Sequence, residues 1–391
     1  MSFYKRLLRL KLPKNQSAFL WGARKTGKST YLKDHFTHSV FYDLLKTDLF
    51  FDLLKNPSRL REEILALSKD ALQYPIIIDE VQKIPSLLDE IHWLIENTDA
   101  YFILCGSSAR KLKTTGANLL GGRAWRYTFF PLVYPEITDF DLLKVLNYGS
   151  IPSHYDSKNP KKSLKSYVGD YLTEEIKQEG LVRSFPAFAR FLDSVGYSNG
   201  QMINYTNIAR ECGVDMKTVK EYYQILFDTL LGYFLLPYRK QMKRELITAV
   251  PKFYLFDVGV GNILARRSIE EIKGDLAGRM LEHYILTELI AYKGLNDLDF
   301  DLSYWRTKTG LEVDFIISDS SIVAIEVKVS NEIKKNDLRG LIAFAQEHPE
   351  SKNIVVCSTP RARVKIYEGI EVHILPIMSF LKKLWNKEIV N

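Results

Sequence analysis

The string Gly22-Ala-Arg-Lys-Thr-Gly27-Lys28-Ser29 constrains this chain more than any other. It fits G-x-x-x-x-G-K-[ST] at every fixed position, follows the apolar run "AFLWG" and opens a helical pattern. The glycines let successive N–H groups converge on phosphate oxygens, and the following helix turns its positive N-terminus toward the anion. Gly22, Ala23, Arg24, Lys25, Thr26, Gly27, Lys28, Ser29 and Thr30 are therefore the expected nucleotide-binding segment. In it Lys28 neutralises the β- and γ-phosphates and Ser29 places its hydroxyl on Mg²⁺. A chance glycine-rich turn would lack the two flanks.

The surroundings repeat the same grammar. Between Ser17 and Leu132 the runs "SAFLWG", "SVFYDL", "PIIIDE", "YFILCGSS" and "RYTFFPL" read as five strands, with amphipathic helices between the first four. That alternation predicts an α/β fold with a mostly parallel sheet covered on both faces. "PIIIDE" ends in Asp79 and Glu80, where the partner carboxylates of a phosphate cradle belong. Asp79 would complete the Mg²⁺ shell, and Glu80 would orient and polarise the attacking water. An apolar strand ending in two acids is also common at solvated turns; the cradle favours hydrolysis. In "CGSSAR", Ser107 or Ser108 is placed to reach the γ-phosphate or the water, and either serves equally well as a helix N-cap. Arg123, in "LLGGRAW", is either a surface residue beside a turn or an arginine reaching a neighbouring subunit's site, and spacing does not separate the two.

At 391 residues the chain exceeds one ordinary core, so two or three domains are expected. Lys and Arg outnumber Asp and Glu by 54 to 47, a net +7 that points mildly to a polyanionic partner. Cys105, Cys212 and Cys357 are distant and odd in number, which argues against a disulfide framework or a cysteine zinc site and fits a reducing cytoplasm. No apolar run approaches the roughly 20 residues that a membrane helix needs. The opening "MSFYKRLLRLKLPKNQ" is basic and amphipathic without an apolar core, and reads as a first helix rather than a signal peptide.

From Glu136 to Gly200 helices flank a Pro/Ser/Asn-rich loop, "YGSIPSHYDSKNPKKS". Next, "YTNIARECGVDMKTVKEYYQIL" has the form of two helices about a glycine turn. Thr206 caps the first, Gly213 makes the turn and Asp215 caps the second, with Ile208, Ala209, Val214, Val219, Tyr222 and Leu226 facing inward. Lys217, Thr218 and Lys220 then face outward, as on a helix that enters a major groove. Arg239, Lys240, Lys243 and Arg244 follow as a candidate phosphate-contacting wing. The other reading is a helical hairpin with a solvated basic face, because such modules also connect proteins.

Beyond a long helix over residues 276–292 lie the strands "DLSYWRT", "LEVDFII", "SIVAIEVKV" and "KNIVVCS". Alternation places Val323, Ile325, Val327 and Val329 on one face, with Ala324, Glu326 and Lys328 on the other. Folded back antiparallel, "LEVDFII" brings Asp314 beside Glu326, and Glu282 is the nearest upstream acid. Converging carboxylates repel unless a divalent cation lies between them. A lysine two residues on would then orient or deprotonate a water that attacks phosphorus. Asp314 and Glu326 are thus candidate metal ligands, and Glu282 and Lys328 complete a nuclease-like set.

At these residues the chain resembles the prokaryotic AAA-type P-loop ATPases whose C-terminal domain belongs to the restriction-endonuclease-like PD-(D/E)xK class. The blocks that carry it are "GARKTGKS", "IIIDEVQKIP", "GSSARKL", "LLGGRAWRYTFFPLVYPE", "PKFYLFDVGV", "LEHYILTEL", "YWRTKTGLEVDFII" and "AIEVKVS". The resemblance implies a five-stranded ATPase core, a winged-helix middle and a nuclease-like end. It also implies Arg123 as the finger or sensor arginine. The corresponding divisions are 1–135, 136–200, 201–273 and 274–391. The function it implies is an ATP- and Mg-dependent ATPase acting on DNA, associating with copies of itself and carrying a Mg-dependent nuclease in its C-terminal domain. The alternative is a nucleotide-switched DNA-binding protein whose last domain is a scaffold. A small-molecule kinase would leave the helix-turn-helix and Glu-x-Lys segments unexplained.

Overall fold

The computed structural model describes residues 4–108, 110, 112, 120–172, 182, 184–239 and 250–390. Its first sheet holds β1 (Ser17–Trp21), β2 (Phe41–Asp43), β3 (Ile76–Asp79), β4 (Phe102–Gly106) and β5 (Ala124–Thr128), all parallel, in the order β2-β3-β4-β1-β5. The period-two side-chain rule splits each strand between two cores. Phe19, Trp21, Ile76, Ile78, Phe102 and Leu104 pack with Leu53, Leu60, Leu88 and Ile91 of the helices α2 (Thr47–Lys55), α3 (Ser58–Leu65) and α4 (Leu87–Asn97). Leu20, Ile77, Ile103 and Cys105 face the other way, onto Tyr31 and Leu32 of α1 (Lys28–His35). Register brings Trp21 opposite Gly106 and Asp79 opposite Cys105, so the cradle, Asp79, Glu80 and Ser107 share the carboxyl edge of the sheet.

The opening segment is not a helix. Residues 4–12 run without helical structure, with Leu8, Leu10 and Leu12 against the α1 side of the sheet and charged residues between them facing out. That burial has period two, which "RLLRLKL" fits as well as it fits a helical stripe. The Pro/Ser/Asn-rich loop also differs from expectation. It contains α6 (Pro152–Tyr155) and α7 (Pro160–Ser166), after α5 (Leu142–Tyr148). Each of the two begins on a proline at its first position, where the missing N–H costs nothing.

The middle of the chain packs α8 (Phe185–Ser198), α9 (Tyr205–Cys212), α10 (Met216–Asp228) and α11 (Val258–Leu264) around Phe188, Phe191, Val219, Tyr223 and Leu226. A ribbon, β6 (Gly232–Pro237) with β7 (Lys252–Leu255), extends from this core and joins the last sheet. That sheet has the order β12-β13-β11-β10-β9-β8-β6-β7. Its other strands are β8 (Asp301–Arg306), β9 (Glu312–Ser318), β10 (Ile322–Val327), β11 (Lys352–Cys357), β12 (Arg363–Tyr367) and β13 (Ile370–Pro376), of which β12 and β13 lie beyond the strands expected from sequence. The helices α12 (Gly274–Leu295) and α14 (Ile377–Trp385) cover one face, and α13 (Arg339–Glu347) covers the other. Cys105, Cys212 and Cys357 are all buried free thiols. No helix among the described residues is long and apolar enough to cross a membrane.

Candidate functional sites

The cradle closes on itself. Gly27 sits at φ 100°, a left-handed conformation that side chains resist, and a Cβ on Gly22 would lie 2.3 Å from the Phe129 carbonyl. Thr26 Oγ1 donates to the Ala23 carbonyl at 2.8 Å. Lys28 is buried, and its ammonium donates to the carbonyls of Gly22 at 2.6 Å and Ala23 at 3.0 Å. Ser29 donates its hydroxyl to the buried Asp79 carboxylate. Hydroxyl and carboxylate are the hard oxygen donors that Mg²⁺ takes beside a phosphate, so the residues present fit that ion.

Two participants were not legible beforehand. Gln82 donates to Glu80 Oε2 at 2.5 Å and to Ser107 Oγ at 3.2 Å, tying the two candidate catalytic groups together. Its position two residues after Glu80 in "DEVQ" was the available signal. Arg6 donates to the Thr26 carbonyl at 2.7 Å, pairs with Glu136 at 2.9 Å and lies 4.2 Å over the Phe129 ring, buttressing the cradle from behind. The serines separate here. Ser107 faces the Glu80–Gln82 pair, whereas Ser108 accepts from the Arg110 amide at 3.0 Å and donates to the Asp228 carbonyl at the end of α10 at 3.3 Å. Arg123 precedes β5, at the opposite end of the sheet from its own cradle, and pairs with Glu96. One strand length, ~16 Å for β1, separates the two ends.

The second site lies in the last sheet. β9 and β10 pair antiparallel with Phe315 opposite Ile325, which sets Asp314 beside Glu326. Between Val313 and Ile316, β9 takes three steps where β8, from Trp305 to Ser303, takes two. Such a bulge re-aims a side chain, and strict alternation had not foreseen it. Asp314 Oδ2 accepts from the Val327 amide at 2.7 Å, and Lys328 pairs with Glu326 Oε1. Glu326 Oε2 is buried with no hydrogen-bond partner, an acceptor left open for a cation.

Burial, then Glu326 and Glu282, push the Asp314 carboxyl well above its usual range. Burial also raises Glu326, against the pull of Lys328. Burial works to lower Lys328, but Glu326 and Asp314 outweigh it and hold the ammonium charged. Glu282, from α12, is engaged elsewhere: Tyr254 donates to its Oε1 at 2.5 Å and Lys252 lies 3.2 Å from the same oxygen. Lys252 and Arg306 both pair with Glu312. Among the described residues no three acidic or imidazole groups gather closely enough to hold an ion. Glu326 thus supplies the open oxygen, beside an Asp314 held by the Val327 amide, while Glu282 stays tied back. An open cleft of about 960 Å³ contains Glu282, Asp314 and Lys328, with Lys273, Arg279 and Lys334 also lining it. Lys252, Tyr254 and Glu312 went unforeseen, although a lone lysine opening the apolar "KFYLF" and an acid two before Asp314 were there to see.

The helix-turn-helix forms with one correction. Asn204, not Thr206, caps α9, accepting from the Asn207 amide at 3.0 Å; Thr206 lies inside the helix and its hydroxyl meets Met216 Sδ at 3.3 Å. Asparagine and threonine are both good caps, and the chain enters the helix two residues earlier than the spacing implied. Gly213 takes the left-handed turn at φ 68°, and Asp215 caps α10 at 2.7 Å from the Thr218 amide. Lys217 and Lys220 are exposed and Thr218 half-buried; Lys220 lies 5.4 Å over the Tyr205 ring. Val214 is only half-buried, whereas the other five inward residues are buried. Arg239 is exposed; Lys240, Lys243 and Arg244 lie outside the described residues.

Residues 14–138 match a family model described as an AAA domain. Residues 139–271 and 277–380 match two models described as domains of unknown function, DUF8612 and DUF4143. No curated protein matches the chain. A solved structure with some likeness is the half-complex from a tetradecameric assembly of Thermococcus gammatolerans McrB AAA+ hexamers with bound McrC, at 8% identity over 52% of this chain and 75% of that one. Its TM-score of 0.21 is too low to carry an argument about fold, partner or assembly. The parallel sheet, the cradle and the AAA-domain match over residues 14–138 together make the N-terminal part of this chain a P-loop domain of the AAA type, and the protein an ATPase.

Proposed function

We propose that ATP hydrolysis in the N-terminal domain drives or gates a DNA-bound assembly whose C-terminal cleft cleaves phosphodiester bonds with Mg²⁺. The observation that supports it most is the unsatisfied, buried Glu326 oxygen beside Asp314 and Lys328, which themselves line an open cleft. At the ATP site Lys28 leaves its two carbonyls for phosphate oxygens, and Ser29 and Asp79 hold Mg²⁺. Glu80, held by Gln82, orients the attacking water, and Ser107 donates to it or to the γ-phosphate. Arg123 acts on a neighbouring copy, which makes turnover depend on self-association. Mg²⁺ in the cleft would stabilise charge developing on phosphorus; Asp314 and Glu326 would hold it, and Lys328, kept as an ammonium by those carboxylates, orients the nucleophilic water rather than deprotonating it. Lys217, Thr218, Lys220 and the basic run from Arg239 to Arg244 supply the DNA contacts.

A second reading is favoured by the engagement of Glu282 with Lys252 and Tyr254: a nucleotide-switched DNA-binding protein whose last domain is a scaffold. Incubating the purified chain with plasmid and single-stranded DNA, with and without ATP and Mn²⁺, separates the two. Metal-dependent nicks that disappear in Asp314→Asn support cleavage. DNA that is bound but intact under every condition supports the scaffold.

A further inference from the structure

Beside the cleft, the carboxylate cluster already holds a cation of the protein's own. Lys252 opens β7 and is only 4% exposed. Its ammonium lies 2.5 Å from Glu312 Oε1, 3.2 Å from Glu282 Oε1 and 5.3 Å from the centre of the Tyr304 ring. Four carboxylates (Glu282, Glu312, Asp314 and Glu326) face three cations (Lys252, Lys328 and Arg306).

Lys252 also arrives from elsewhere in the fold. The ribbon that carries it leaves the helix-turn-helix core and is stitched to the last sheet at Leu236 opposite Ser303. Tyr304 Oη donates to the Val250 carbonyl at 2.6 Å. Glu312 keeps Arg306 as a partner if Lys252 withdraws, whereas Glu282 then keeps Tyr254 as its side-chain partner among the described residues.

We propose that Lys252 is the resident counter-ion of this cleft: it ties back Glu282 and competes with a divalent metal ion, so that metal affinity is set from the β6–β7 ribbon. The inference rests on reading the cleft as a metal site and adds to it a positioning residue from outside the Glu-x-Lys strand. The physical ground is Coulombic. A desolvated ammonium beside an entering dication raises its energy, and the low-dielectric surroundings screen that repulsion poorly. An ion pair that merely cements the ribbon would have no such effect on an ion.

The test titrates Mn²⁺ alone into the full-length chain and follows the free-ion paramagnetic resonance signal. Lys252→Met and Lys252→Gln should each bind Mn²⁺ roughly tenfold or more tightly than wild type at the class of site that Asp314→Asn abolishes. Lys252→Arg, which keeps the charge, should stay near wild type. Should Lys252→Met fold poorly, excess Mn²⁺ should raise its melting temperature more than it raises that of wild type. Folded variants with unchanged or weaker Mn²⁺ binding, or a variant that Mn²⁺ does not rescue, overturn the role of Lys252. If Asp314→Asn alters Mn²⁺ binding in neither background, the metal-site reading itself is wrong, a separate outcome.

Discussion

Lys28 and Lys252 are both buried lysines, 6% and 4% exposed, but they are held by opposite kinds of partner. Lys28 donates to two neutral carbonyls of its own loop, which a phosphate outcompetes at little expense. Lys252 sits between two carboxylates from distant segments, and withdrawing it leaves charges unpaired in a buried place. The first site is local and already shaped for its ligand. The second is assembled from α12, β7, β9 and β10, and its carboxylates stay paired until something displaces a charge. A segment of eight residues builds one, and the whole C-terminal fold builds the other.

The comparison breaks most sharply if the two sites are not separable. Lys28→Ala should lower ATP turnover by about 10²- to 10³-fold or more, since a charged donor to the transferring phosphate is lost. A phosphate-release assay that finds wild-type turnover would remove the cradle from catalysis. Asp314→Asn should abolish metal-dependent strand cleavage and leave ATP turnover intact, and parallel assays on one preparation decide this. Gln82→Ala should slow ATP turnover by a smaller factor, about tenfold, because Glu80 and Ser107 lose their shared partner while phosphate binding survives. A change in ATP affinity with unchanged turnover would place Gln82 in binding instead.

The smallest effect concerns the seam between the two regions. Glu288, on the same helix as Glu282, accepts from the Tyr134 amide, Tyr284 Oη and Trp385 Nε1, at 2.9, 2.7 and 2.6 Å. Burial raises its carboxyl to about 7 despite these donors. Between pH 4.5 and about 7 the folded chain therefore keeps a proton that the unfolded chain has released, so stability falls as pH rises through that window and levels above it. The melting temperature should drop by a few degrees across it. In Glu288→Gln, which does not titrate, the drop should be absent; an identical pH profile would assign it to other groups.

How much was legible follows the range of each interaction. The five N-terminal strands, the cradle, Gly213 and the Asp215 cap depend on neighbours a few residues away, and their patterns stood in the sequence. The opening segment failed because "RLLRLKL" fits two periods, and only packing against Tyr31 and Phe129 chose between them. The bulge at Asp314 was hidden because it is a mismatch between two strands rather than a property of either.

The sequence by itself determined which residues could bind phosphate and which strand could carry a carboxylate–lysine pair, because both follow from backbone periodicity and short spacing. Tertiary structure alone decided that Gln82 would join Glu80 to Ser107, that Ser108 would serve α10 instead, and that Lys252 would enter the cleft of Glu282 and Glu312. The physical reason is reach. Hydrogen bonds and charges act over a few ångströms in space, whatever the distance along the chain, and folding alone brings residues 252, 282 and 312 within that distance.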